Sequence, residues 1–109
     1  MAATYKVLGQ SAPSATTNTD VYTVPSATST VVSTITVCNR SAVAVTYRIA
    51  IRPAGASIAN QHYIAYDIAL AANDTTALTL GVSLATTDVV TVYASTANLT
   101  FNIFGSEIV

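Results

Sequence analysis

The chain has 109 residues, enough for one hydrophobic core and too few for two, so it reads as a single domain over residues 1–109. Hydrophobic residues make up 51% and charged residues only 8%, with a net charge of −1. That balance excludes intrinsic disorder; with Lys6, Arg40, Arg48 and Arg52 as the only basic residues, it also excludes a phosphate-binding surface for nucleic acid.

The elements follow from a period of two that runs through most of the chain. Tyr5 to Leu8 and Val21 to Val24 read as short strands, separated by a turn-rich Ser/Pro/Asn stretch from Gln10 to Thr19 that suits a loop or an arm. Ser29 to Asn39 is a long strand, with Val31, Ile35 and Val37 on one face and Val32, Thr34, Thr36 and Cys38 on the other. From Val43 to Pro53, Val43, Val45, Tyr47, Ile49 and Ile51 alternate with Ala44, Thr46, Arg48, Ala50 and Arg52, the pattern of a half-buried strand. The short Asn39-Arg40-Ser41 link predicts that these two strands pair as a hairpin.

After the Pro53-Ala54-Gly55 corner, His62 to Ala69 forms a strand with Ile64, Tyr66 and Ile68 on one side. Asn73-Asp74 is a turn, and the next strand carries Thr76, Leu78 and Leu80 on one face before Gly81 ends it. The Ala-rich piece from Ile68 to Ala77 also suits a short helical turn. Val89 to Ala94 and Leu99 to Phe104 read as a final pair joined by Ser95 to Asn98, with Leu99, Phe101 and Ile103 as the buried row. About eight strands with regular turns and no helix of consequence give an all-β fold. It is read as one antiparallel β-sandwich, Ig-like or jelly-roll-like, with a closed barrel as the rival.

No apolar run approaches the roughly 18 residues of a membrane span. The opening Met-Ala-Ala-Thr-Tyr-Lys lacks the pattern of a secretory signal, so assembly in the cytoplasm is expected, with no membrane partner. The single Cys38 forms no internal disulfide, which fits that compartment.

Several phrases resemble a known family. Tyr22-Thr23-Val24-Pro25, Ser33 through Arg40, Tyr47 through Pro53, and the tail from Val92 to Thr96 and from Phe101 to Ile108 are similar to small virion structural proteins of marine and cyanobacterial tailed phages. The resemblance covers nearly the whole chain but rests on strand phrases, with no chemical motif inside it. It implies a particle component, located in the virion, and brings no catalytic residue with it.

The residues themselves argue against an enzyme. His62 has no second His, Cys or carboxylate at ligand spacing, so it is read as an interface or strand-edge hydrogen-bonding group, and neither metal nor cofactor is expected. Cys38 lies within a Val/Thr strand and reads as a small buried hydrophobe, not as a nucleophile served by His62. Asp20, Asp67, Asp74, Asp88 and Glu107 are dispersed; Asp74 and Asp88 read as turn formers, and Asp67 stands mid-strand. Arg48 and Arg52, four apart on one face, are read as solvated or as partners of carboxylates such as Asp67, within the sheet or across a subunit contact. Of the six tyrosines, Tyr47 shares the apolar phase of its strand; the others are scattered, and a sugar-stacking face among them has no support at this level.

With so few charges, the outside must be made polar largely by Ser and Thr, 28 residues together. Hydroxyls cost far less to desolvate than ions, so such a surface suits burial in an assembly. The expectation is therefore a capsid decoration (cement) protein that contacts itself, as a homo-oligomer and by preference a trimer, and other virion proteins such as the major capsid protein. A tail, collar or fibre component with a host-surface glycan-binding role is the alternative. The candidate interface residues are Arg48, Arg52, Asp67, His62, Ile108 and Val109, with the chain ends Met1 to Lys6 and Gly105 to Val109 as contact arms.

Overall fold

The computed structural model describes residues 2–109 and is built almost entirely of strands: β1 (Ala3–Ser11), β2 (Thr19–Thr23), β3 (Ser29–Asn39), β4 (Val45–Arg52), β5 (Tyr63–Leu70), β6 (Thr75–Leu78), β7 (Val82–Leu84), β8 (Val89–Ala94) and β9 (Leu99–Ile108). Two single 3-10 turns, Pro53–Gly55 and Asn60–His62, lie between β4 and β5. All pairings are antiparallel, and the strands form two sheets.

The first sheet runs β1-β9-β3-β6, with β7 also on β3; the second runs β2-β8-β4-β5. β6 and β7 pair successive stretches of the same neighbour, Ile35 to Cys38 and Thr30 to Val32, so they are two halves of one interrupted edge strand. Eight strand positions remain. They pair first with last, second with next to last, and so inward, and this long ribbon is rolled so that alternate pairs fall in opposite sheets. That is the jelly-roll arrangement of the β-sandwich.

The rolled ribbon corrects two pairings. β3 and β4 do not form a hairpin, and neither do β8 and β9; each link carries the chain from one sheet to the other. The Asn39-Arg40-Ser41 link acts as a crossover because Asn39 is buried at its root. Its amide donates to the carbonyls of Val43 and Ala71 at 2.8 and 3.1 Å, and its Oδ1 accepts from the Ser41 amide at 3.0 Å. Those bonds fold the chain away from β3, and β4 begins at Val45, leaving Val43 exposed.

Between the sheets, Val32, Ile35, Val37, Leu99, Phe101 and Ile103 meet Val45, Tyr47, Ile49, Val90, Val92 and Ala94. The expected buried row of β9 is fully inside, and Ile51 is half-buried against the same core. Tyr47 and Phe101 meet edge to face, 6.3 Å apart at 73°, across the middle of the sandwich. Burial pushes the Tyr47 hydroxyl pKa up.

The strict alternation expected for β3 fails at one point. Val32 pairs Gly105 and Thr34 pairs Phe104, so Ser33 is an extra residue, a β-bulge. Upstream of it Thr30 and Val32 point inward and Val31 outward; downstream Ile35, Val37 and Asn39 point inward. A side chain at Gly105 would put its Cβ 2.0 Å from the Val31 carbonyl oxygen, so the bulge demands glycine opposite it. Cys38 follows the outward row and is half-buried, not enclosed in the core.

Candidate functional site

β4 is a central strand of the second sheet, and its outward row carries Arg48 and Arg52 with β8 on one side and β5 on the other. Arg52 reaches across β8 to the edge strand β2. It bonds Asp20 at 2.8 Å and the Thr91 hydroxyl at 2.9 Å, and donates to the carbonyls of Gly55 and Ala56. Thr91 in turn donates to Asp20 at 2.8 Å. Arg52 therefore tightens one half of the sheet and holds the first 3-10 turn, and each of its three guanidinium nitrogens is engaged.

Arg48 serves the opposite edge. Tyr47 pairs Ile68 and Ile49 pairs Ala65, so Tyr66 and Asp67 together stand opposite the single residue Arg48. This second bulge is held by Asp67 with φ of 51°, a left-handed conformation that Asp tolerates better than most residues. It brings two consecutive side chains onto one guanidinium. Asp67 accepts from Nε at 2.6 Å and from Nη2 at 3.3 Å, while the Arg48 guanidinium lies 4.2 Å from the centre of the Tyr66 ring. On the other side the Tyr93 ring, from β8, lies 4.3 Å away. The Asp67 hydrogen bonds, above all, raise the Arg48 pKa beyond its already high value. Tyr63 completes the group, meeting Tyr66 at 4.8 Å and 80°. A cleft of 500 Å³ opens beside them, lined by Asn60, Tyr63 and Tyr66.

Of the two readings of these arginines the structure shows the ion pairs: it joins Arg48 to Asp67 and gives Arg52 a different carboxylate, Asp20. The convergence of Tyr63, Tyr66 and Tyr93 was not legible in the sequence, because it depends on which strands flank β4 and on the bulge. His62 is engaged locally: its Nδ1 accepts from the Ala59 amide at 3.0 Å, closing the second 3-10 turn. Cys38 lies on the other sheet. Asp88 accepts from the amides of Ala54 and Ala85 and Asp74 from that of Thr75, as turn formers do.

The outer face of the first sheet is different in kind. Tyr5, 84% exposed, stands with Val7, Val31 and Phe104 around a shallow groove of 630 Å³ floored by Gly105. Beneath one end, Glu107 pairs with Lys6 at 2.8 Å and accepts from the Tyr22 hydroxyl at 2.6 Å, while Tyr22 and Thr30 share a bond of 2.8 Å. The Lys6 contact, then the Tyr22 bond, hold the Glu107 carboxyl below its usual range; burial, then Glu107, push the Tyr22 hydroxyl up to about 12.

The chain ends are not free arms. Residues 3–11 and 99–108 are paired strands, Ile108 sits half-buried between Ala3 and Ser29, and Val109 exchanges both backbone bonds with Ala2. Of the expected N-terminal arm, Met1 lies outside the described residues. Residues 12–18 are likewise tied, through the bond from the Thr16 amide to the Ala94 carbonyl. Among the described residues no group of three or more His, Cys, Asp and Glu stands together, and no helix is long and apolar enough to cross a membrane. Comparison of the chain with protein families, with curated proteins and with solved structures finds no match.

Proposed function

We propose that this protein is a structural subunit of a tailed-phage virion, a capsid decoration protein that associates with itself and with the major capsid protein. The observation that carries the reading is the state of its charges. The four basic and five acidic side chains each have an intramolecular partner: three ion pairs use Lys6, Arg48, Arg52, Asp20, Asp67 and Glu107, while Arg40, Asp74 and Asp88 bond the backbone. The rest of the outside is hydroxyl, amide and apolar, and the Tyr5–Val7–Val31 face, whose one charged neighbour Lys6 is already paired with Glu107, can be dehydrated without stripping a free ion.

The resemblance of the strand phrases to phage structural proteins supplies the particle. The jelly-roll architecture recurs in capsid and lectin domains, which is support by analogy. Self-association closes as a trimer in this proposal, since closed cyclic symmetry buries a repeated patch without forming open filaments. A second reading, a tail, collar or fibre component, is favoured by the tyrosine cluster on the other sheet.

The test is sedimentation of the purified protein beside cryo-electron microscopy of the particle. Trimers that revert to monomers in a Tyr5→Ser/Val7→Thr variant, with density for the domain on the capsid, would bear the proposal out. A monomer at high concentration with no place in the particle would overturn it.

A further inference from the structure

We propose that the cleft beside Tyr63 and Tyr66 binds a neutral pyranose sugar. This goes beyond the assembly reading and does not depend on it. Two ring walls meeting at 80° make a corner with Asn60 at its rim, and Tyr66 is 53% exposed. Rigid, partly exposed tyrosines offer apolar contact at low entropic cost, and the C–H faces of a sugar ring pack on such surfaces.

These rings are held in place before any ligand arrives. Arg48 is stacked between Tyr66 and Tyr93, and Tyr63 abuts Tyr66. The bulge that makes the stack possible holds a non-glycine residue, Asp67, in a left-handed conformation, a local cost that the ladder alone does not require.

The polar groups then select the ligand. Arg48 and Asp67 neutralise each other through two hydrogen bonds, so the cluster calls for neither an anion nor a cation. Among the described residues the hydroxyls of Tyr63 and Tyr66 and the Asn60 amide, which line the cleft, have no side-chain hydrogen-bond partner, and the half-exposed Asp67 carboxylate beside them keeps lone pairs free. An apolar partner covering this corner would leave those groups unsatisfied, whereas a polyhydroxylated ring restores their bonds.

The test is a titration of the ¹⁵N-labelled protein with lactose, maltose, methyl mannoside and chitobiose, with sialyllactose as the anionic arm. At least one neutral saccharide should shift the amides of Asn60, Tyr63, Tyr66 and Asp67, with a dissociation constant on the order of 1 mM. Tyr66→Ala should weaken it about tenfold or more, while Tyr66→Phe, which keeps the ring, should stay within about threefold. The proposal is overturned if no neutral saccharide moves these amides, if binding survives Tyr66→Ala, or if sialyllactose is preferred. A failure here with the domain present on the particle would leave the assembly reading standing.

Discussion

The two outer faces of the sandwich are built from the same antiparallel ladder, yet they solve the problem of an exposed sheet in opposite ways. On the first sheet the outward face is loosely furnished: at one end Tyr5, Val7 and Val31 project over a groove whose floor is a glycine, and farther along Gln10 donates to Asn102 at 2.7 Å. Its ion pair, Lys6 with Glu107, is turned partly inward toward Tyr22 and Thr30. On the second sheet the outward row is clamped: Arg52 ties the centre to β2, and Arg48 ties it to β5 through a carboxylate and two aromatic rings. One face invites broad, dry contact; the other presents a preorganised polar-aromatic corner. Burial of area and preorganisation are separate routes to binding, and under the two proposals above each sheet takes one of them.

Phe101 lies beneath both faces, and its loss should erase the distinction by loosening both. Phe101→Ala should cost about 3–5 kcal/mol in urea unfolding; Ile49→Ala, equally buried on the facing sheet, should cost about 2–5 kcal/mol. A loss below about half a kcal/mol for either would reverse the inward phase of its strand.

Gly105→Ala strikes the first face alone. Its Cβ collides with backbone, which cannot swing away like a side chain, so the β3–β9 bulge must shift at a cost of about 1–3 kcal/mol. Amide spectra should change along β3 and β9 while the signals of Arg48 and Tyr66 hold still.

The same face should also carry a pH signature. The Glu107 carboxyl, held low by Lys6 and Tyr22, stabilises the fold above its ordinary value of 4.5, and that contribution disappears as pH falls through its depressed native value. Tyr22 runs the other way. With its native value raised from 10 to about 12, its contribution is intact below 10 and is lost as pH climbs between the two. Wild type and Glu107→Gln should therefore differ in urea midpoint by a constant amount at neutral pH and converge in acid; a difference that persists unchanged in acid would contradict the ion-pair account.

The clamp on the second face should respond more gently. Arg48→Lys keeps the charge but loses the planar fork and the stacking, for about 1 kcal/mol given its partial exposure. Its sharper readout is the signals of the Tyr66 and Tyr93 rings, both of which should shift once the guanidinium between them is gone. Smallest of all, Cys38→Ser on the outward row should change stability by less than about 0.5 kcal/mol.

Much of this was legible because period-two alternation reports burial directly. Val45, Tyr47, Ile49, Leu99, Phe101 and Ile103 could be placed inside before any pairing was known. Val31 and Val32 could not be assigned correctly, because a bulge inverts phase without leaving a pattern in the bulged strand itself. The Arg48–Asp67 pair was within reach, since the two were scarce opposite charges on neighbouring strands. The tyrosines around them were not, since Tyr63 and Tyr66 come from one edge strand and Tyr93 from the far side of β4.

By itself the sequence determined the class of the fold, the inward side chains of β4 and β9, and a surface poor in charge, since each depends only on local alternation and composition. The tertiary structure decided the rest. Short links between long strands look alike whether the chain turns back in one sheet or crosses to the other, and here Asn39 spends its buried amide on making the crossing. Once the ribbon is rolled, register alone determines which outward side chains become neighbours. A single extra residue at Asp67 is what gathers a carboxylate and a tyrosine ring around the arginine on the outward row of β4.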